Sequence, residues 1–313
     1  MREEASSSQP PASRSVAADG RVGRPFFKWL GSKRVLAPRI LDRFIAHGGP
    51  GPTKGRWLEP FVGSGAVYFE FIARGCQVGA AYDALLSDGQ EDLLATLAEV
   101  QGHAKEVSEE LKRLPTVRHA WLEASPAMRA SFNAGRKGFH PCKRAAWFLW
   151  LGRAAYNGLF RINASGLYNM APGSYEKLSF PSGEALEVAG RALRLATIAD
   201  APIPWREMIE DIAAEGDWLY VDPPYIRASK TTGFASYVPQ GFSMDDQEDL
   251  AAACGRARKR GVLVVASNSD LPVTRALWEP QGFALEEASV RRAISIDPTK
   301  RGMAKELLMV GAP

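Results

Sequence analysis

The sequence predicts an α/β fold: an open sheet with helices, interrupted by a mostly helical insertion. Three observations carry this. Apolar runs at 56–60, 218–221 and 262–267 have the length and composition of buried strands and are separated by helix-length segments. The first run ends in a glycine-containing turn, Phe61-Val62-Gly63-Ser64-Gly65, and an apolar helix follows, in the order of a nucleotide-binding βα unit. The α/β pattern then stops and returns only at Trp218, with no internal repeat, so the middle of the chain interrupts one domain instead of following it.

In chain order, residues 1–24 are rich in Ser, Pro, Ala and Gly and predict a disordered tail. They carry acids and lack an apolar stretch, so they do not read as a signal peptide. Order begins near Pro25-Phe26-Phe27, and 35–46 predicts a helix. Arg56 to Pro60 is the first strand, 66–74 a helix, and Val78 to Tyr82 a second short strand ending at Asp83. Residues 88–152 predict helices broken at Pro115, Pro126 and Pro141. The stretch from Asn157 to Tyr175 changes to Asn, Gly, Tyr and Arg, and Ala164-Ser165-Gly166 can turn a hairpin. Then come a helix over 182–194, the strand Trp218 to Val221 running into Asp222, a helix over 245–260 and a strand over 262–267. Finally, 289–296 pairs with 306–310. The expected division is 25–100 with 186–313 as one domain and 101–185 as the insertion.

Composition limits the function classes. Of 313 residues, 46% are hydrophobic, enough for a sizeable core. The net charge of +4 is compatible with a nucleic-acid partner without requiring one. Cys76, Cys142 and Cys254 are far apart, no C-x-x-C pair exists, and there are four histidines. That disfavours a disulfide framework or a structural metal and fits a reducing cytoplasm. No apolar run approaches the roughly 20 residues of a membrane span.

Two loops carry chemistry. Gly63 and Gly65 let a backbone approach a ligand, and Asp83, ending the second strand, offers a carboxylate to ribose hydroxyls. Alone, G-x-G equally marks an ordinary tight turn. Asp222-Pro223-Pro224-Tyr225 is more specific. It follows an apolar strand, where open α/β sheets bind ligands. Two prolines stiffen the loop, leaving the Asp222 carboxylate and the Pro223 carbonyl as acceptors and Tyr225 as a flat surface. An exocyclic base amine is a poor nucleophile, its lone pair being delocalised into the ring. Two acceptors on its two N–H bonds draw it toward tetrahedral geometry for attack on a sulfonium methyl, while the aromatic ring stacks on an unpaired base. No metal is required. Alone, Lys28-Trp29-Leu30-Gly31-Ser32-Lys33 reads as a core aromatic flanked by solvated charges; beside the two loops, its tryptophan suits a sulfonium cation and a lysine suits a carboxylate. The run Arg256-Ala257-Arg258-Lys259-Arg260 reads as a solvated helix end.

At these residues the chain resembles the class-alpha, Dam-type (D12 group) DNA adenine-N6 methyltransferases. The matches follow the family's order from Pro25 to Val310. They are Lys28 to Lys33, Pro60 to Gly65, Tyr156-Asn157-Gly158-Leu159-Phe160-Arg161-Ile162-Asn163 with Gly166, Asn169 and Gly173-Ser174-Tyr175, then Asp222 to Tyr225 with Phe234 and Tyr237, Ser267 to Asp270, and Arg291, Arg301 and Glu306.

The resemblance implies a Rossmann-like S-adenosylmethionine-dependent methyltransferase sheet with an inserted helical plus β-hairpin target-recognition domain. It implies a site-specific enzyme that methylates N6 of a flipped-out adenine in double-stranded DNA and releases S-adenosyl-L-homocysteine. By position, Trp29, Lys33, Phe61, Gly63, Gly65, Asp83 and Asp222 would contact the cofactor. Asp222, Pro223, Pro224 and Tyr225 would hold the adenine, and Lys28, Tyr156, Asn157, Arg161 and Tyr175 would contact DNA. A monomer, cytoplasmic and nucleoid-associated, with no membrane and no metal, is the corresponding expectation. Departures are Ser32 where the family often has Gly, Ala84-Leu85 after Asp83 where it often has D-x-N, and a hairpin proline, Pro172, one place late. Methylation of cytosine N4, RNA or a protein amide, or a catalytically inactive DNA-binding relative, stays open at this point.

Overall fold

The computed structural model describes residues 23–49, 55–75, 84–135, 139–158, 160–163, 165–226, 242–291 and 303–313. Among the described residues, seven strands form one sheet: β1 (Trp57–Glu59), β2 (Ala84–Leu86), β3 (Thr197–Ile198), β4 (Trp218–Val221), β5 (Leu263–Ser269), β6 (Ala284–Arg291) and β7 (Met303–Gly311). Their order is β3-β2-β1-β4-β5-β7-β6. The first five are parallel, and β7 runs antiparallel between β5 and β6. The chain steps outward from β1 in one direction and restarts at β4 in the other. The carboxyl ends of β1 and β4 therefore flank the point where strand order reverses, where such sheets bind ligands.

Alternation along the strands fills two cores. Trp218 and Tyr220 join Trp57, Leu263 and Val265 on one face. Leu219 and Val221 join Leu58, Val264 and Ala266 on the other. With both faces buried, the strands read as continuous apolar runs, which is why β4 was legible to the residue. The first face is covered by α1 (Ala37–Gly48), α2 (Ala66–Ala73), α3 (Glu91–Lys112), α5 (Pro141–Ala154) and α6 (Gly183–Leu193). The second is covered by α8 (Met244–Lys259), α9 (Pro272–Trp278) and a π-helical turn at Met208–Ile212 that continues α7 (Trp205–Glu207).

The insertion holds α4 (Arg118–Asn133), α5 and the hairpin region. α4 runs through Pro126, where a break was expected. Pro126 is exposed, while Trp121, Met128 and Phe132 continue the buried stripe across it, so packing outweighs one lost backbone bond. The insertion leaves through α3 and returns through α6, and these two stems are tied together. A Cβ on Gly190 would lie 2.4 Å from the Val100 carbonyl oxygen, so only glycine permits this approach. Gln101 Nε2 donates to the carbonyls of Leu193 at 2.7 Å and Ala196 at 2.9 Å, and Arg194 donates back to the Gln101 carbonyl at 3.0 Å. α3 passes through residue 100, the expected boundary, with a kink at His103. Among the described residues, no helix is long and apolar enough to cross a membrane.

The strand expected over 78–82 and its acid Asp83 lie outside the described residues. The strand that pairs with β1 is Ala84–Leu86, with Trp57 opposite Ala84. In sequence, Asp83 precedes that strand instead of ending it. The closing β-pair starts at Ala284, earlier than expected, with Ser289 opposite Lys305.

Candidate active site

The turn after β1 is drawn against β2. Ser87 N donates to the Glu59 carbonyl at 2.9 Å, and Val62 N donates to the Ser87 carbonyl at 2.8 Å. Gly63 and Gly65 take φ of 49° and 67°, left-handed values that glycine adopts without strain. Beyond β2 stands Asp88. Its Oδ2 accepts from Gly63 N at 2.9 Å and its Oδ1 from Gln90 N at 3.0 Å. The acid that follows the second strand and reaches the glycine turn is thus Asp88. The acid-x-amide pattern that looked absent after Asp83 stands at Asp88-Gly89-Gln90. Gln90 Oε1 accepts from Asp92 N at 2.7 Å and caps α3. Burial pushes the Asp88 carboxyl up to about 6, against the two backbone N–H bonds that favour its charged form.

Trp29 closes this turn from above: a Cβ on Gly63 would lie 2.9 Å from its ring. The same ring stacks on Phe160 at 6.1 Å, so it joins the glycine turn to the hairpin. Phe61 packs edge-on against Phe242 at 5.9 Å. Glu59, ending β1, is 1% exposed, and its Oε2 finds no hydrogen-bond partner among the described residues. Burial, with a smaller contribution from nearby Asp222, raises its carboxyl well above the usual range.

The loop after β4 faces this turn. Lys33, only 6% exposed, places Nζ 3.0 Å from Asp222 Oδ2, 2.6 Å from the Gly31 carbonyl and 4.6 Å from the centre of the Tyr225 ring. Asp222 Oδ1 accepts from Ser267 Oγ at 2.8 Å, and Ser267 Oγ also lies 2.9 Å from the Tyr220 hydroxyl. The Tyr225 hydroxyl donates to Glu306 Oε2 at 2.9 Å. Burial and the charges of Asp222 and Glu306 hold the Tyr225 hydroxyl protonated. Ser32, the expected departure, bonds Ser64 at 2.9 Å and so ties the N-terminal element to the glycine turn.

A second cluster surrounds the hairpin. Asn163 N donates to the Leu167 carbonyl and Asn169 N to the Arg161 carbonyl, with Ile162 opposite Tyr168. Gly166 turns at φ 74°, and Asn163 Oδ1 accepts from the N–H groups of Ser165 and Leu167, both at 3.0 Å. Ala164 of the expected turn lies outside the described residues. Arg161 Nε donates to Asn169 Oδ1 at 2.9 Å. Lys28 lies 5.3 Å over the Tyr175 ring and packs on Gly158, where a Cβ would meet its Cδ at 2.8 Å. Burial, and then Arg153, lowers its pKa. Tyr156 is 40% exposed, and Asn157 lies in the 3-10 turn Tyr156–Gly158.

The structure thus gathers Trp29, Lys33, Gly63, Asp222 and Tyr225 into one site, and Lys28, Arg161 and Tyr175 around the hairpin. Sequence reasoning passed over Asp88 and Glu59. Asp83, Phe234, Tyr237 and Arg301 lie outside the described residues. Arg256 and Arg260 are exposed at the end of α8, where Arg256 pairs with Glu210 at 3.0 Å and Arg260 donates to the Ile209 carbonyl at 2.6 Å. Among the described residues, no cluster of His, Cys, Asp and Glu could hold a metal ion.

The profile of a family described as D12 class N6 adenine-specific DNA methyltransferase matches residues 29–294. A DNA N-6-adenine-methyltransferase of Escherichia phage P1 is 32% identical over 301 residues. That match covers 94% of this chain and 36% of the phage protein. The DNA adenine methylase of Escherichia coli K12 is 31% identical over 294 residues, 94% of this chain and 97% of the relative. The type II methyltransferase M.MjaIII of Methanocaldococcus jannaschii is 29% identical over 297 residues, 91% of this chain and 98% of the relative.

Proposed function

The chain belongs to the D12 class N6 adenine-specific DNA methyltransferase family, and from that premise we propose that it methylates N6 of an adenine flipped out of duplex DNA, with Asp222, Pro223, Pro224 and Tyr225 as its catalytic loop. The observation that carries the reading is the juxtaposition at the reversal of strand order. The acid loop leaving β4 faces the glycine turn leaving β1, and Lys33 lies 3.0 Å from Asp222 across the gap.

The residues present fit S-adenosyl-L-methionine. Asp88 and the backbone of the glycine turn suit a nucleoside, the Glu59 carboxyl has an oxygen without a partner among the described residues, and the Trp29 ring suits a cationic sulfur. When bound, this cofactor supplies an electrophilic methyl group and is left as S-adenosyl-L-homocysteine. The Asp222 carboxylate and the Pro223 carbonyl take the two N–H bonds of the adenine amine, draw its nitrogen toward tetrahedral geometry and free its lone pair. Asp222 is placed to accept the proton the amine then sheds. Tyr225, its hydroxyl held by Glu306, offers its ring face to the base. Lys33 covers that face and that carboxylate in this structure, so an entering base displaces it.

We read 101–185, with Lys28, as the recognition region, and a monomer as the working unit at the nucleoid. Tyr156 and Asn157 suit the gap left by a flipped base, and the fork of Arg161 suits a guanine edge. The test is incubation of unmethylated plasmid DNA with labelled S-adenosyl-L-methionine, followed by digestion to nucleosides. The label is expected in N6-methyladenine, and the Asp222→Ala variant is expected to lose turnover by at least about a hundredfold. Label only in N4-methylcytosine, or in RNA in competition with DNA, overturns the adenine-in-DNA assignment. Full turnover by Asp222→Ala overturns the catalytic loop.

A further inference from the structure

Two buried amides grip the loop. Gln247, in the first turn of α8, and Asn268, near the end of β5, are both 0% exposed. Asn268 Oδ1 accepts from Ile226 N at 3.2 Å and from Ser269 N at 2.8 Å. Two N–H donors on one atom identify it as the oxygen, so the amide's Nδ2 faces Gln247 Oε1, at 3.0 Å. Gln247 is then left with Nε2 for the Pro224 carbonyl, at 2.8 Å. The chain of bonds has one self-consistent direction. It ends on the carbonyl before Tyr225 and the N–H after it.

The loop needs such support. Its two prolines have no N–H to donate, so the segment cannot brace itself through its own backbone there. Fully buried primary amides are costly unless bonded, and here their bonds run to the loop.

We propose that Gln247 and Asn268 are positioning residues for methyl transfer: they hold the peptide groups on either side of Tyr225 so that the Asp222 carboxylate, the Pro223 carbonyl and the Tyr225 ring meet the target amine together. This rests on the reading of Asp222 to Tyr225 as the catalytic loop.

The test compares Gln247→Leu and Gln247→Glu in the full chain. Methyl transfer is followed in a single turnover, with enzyme in excess over unmethylated plasmid DNA and labelled S-adenosyl-L-methionine. A protonated glutamate keeps an O–H for the Pro224 carbonyl and a carbonyl for Asn268; an ionised one has no donor and sets charge against the carbonyl. Full burial at this position raises its titration into reach between about pH 6 and pH 9. Asp222, Glu306, Lys33, Asp88 and Glu59 are common to variant and parent and cancel in the ratio of their rates.

Gln247→Leu is expected to slow transfer about 10- to 100-fold at every pH, with cofactor affinity unchanged. The Gln247→Glu ratio is expected near one at the acid end and to fall toward the leucine value as pH rises. A parental rate for Gln247→Leu, or a flat Gln247→Glu ratio, overturns the proposal. If the leucine variant does not fold, the glutamate profile decides alone, since both its states belong to one folded protein whose near-UV circular dichroism can be followed. Loss of turnover in Asp222→Ala with none in Gln247→Leu removes the clamp and leaves the loop; retention in both removes the loop reading first.

Discussion

Asp88 makes the folded chain sensitive to pH. Its carboxyl moves from 3.8 to about 6 on folding, so within that window the folded chain holds a proton that the unfolded chain has released. Stability attributable to this group therefore falls as pH rises through the window. Cofactor binding has the opposite sign if Asp88 accepts ribose hydroxyls, because the ionised form is the better acceptor. Affinity for S-adenosyl-L-methionine, measured by calorimetry, is expected to be level above about pH 7 and about tenfold weaker one pH unit below the Asp88 value. Asp88→Asn should weaken binding and flatten that dependence; an unchanged profile would assign the acid step to another group. Asp222 was legible because an apolar strand runs straight into it and two prolines mark the loop. Asp88 was not. Two short apolar runs, each followed within two residues by an acid, stand at 78–82 and 84–86, and nothing local separates them. Only pairing decides, through Trp57 opposite Ala84. Glu59 and Gln247 escaped for a related reason: a carboxyl or an amide in the chain gives no local sign that tertiary packing will bury it.

At the scale of elements, Arg144 holds three helices in register. From α5, it pairs with both oxygens of Asp92 at the start of α3, at 2.8 and 3.1 Å. It also donates to the carbonyls of Phe132 and Gly135 at the end of α4, and its guanidinium lies 4.1 Å over the Phe132 ring. The pair is largely buried, so removing one partner costs more than a surface bridge. Arg144→Ala should lower stability by about 2–4 kcal/mol in denaturant unfolding, and should loosen α4 and α5 more than the sheet in hydrogen exchange. Protection lost equally from β4 and β5 would contradict that division. Helices with strong termini were legible in sequence: Ser182 caps α6, and Ser243 with Asp246 forms a capping box on α8. β3, two residues long, has no period to read.

Across the whole molecule, the chemistry and the contacts expected to read DNA occupy different parts of the fold, joined through the Trp29 ring, which touches both. Substitutions should separate accordingly. Arg161→Ala should leave cofactor affinity intact and relax discrimination at one base position by about 1–3 kcal/mol, visible as degenerate sites in single-molecule sequencing of the host's DNA. If affinity instead drops evenly over all sequences and becomes less sensitive to salt, Arg161 contacts phosphate. The tie between α3 and α6 bears on how such an enzyme changes its target over generations. Because Gly190, Gln101 and Arg194 fasten the outgoing and returning helices to each other and α5 stays packed in the shared core, the hairpin that hangs between them can be lengthened, shortened or exchanged while the sheet keeps its shape. The fold is built like a tool with a fixed handle and a socket, and new specificities can be tried in the socket without remaking the handle.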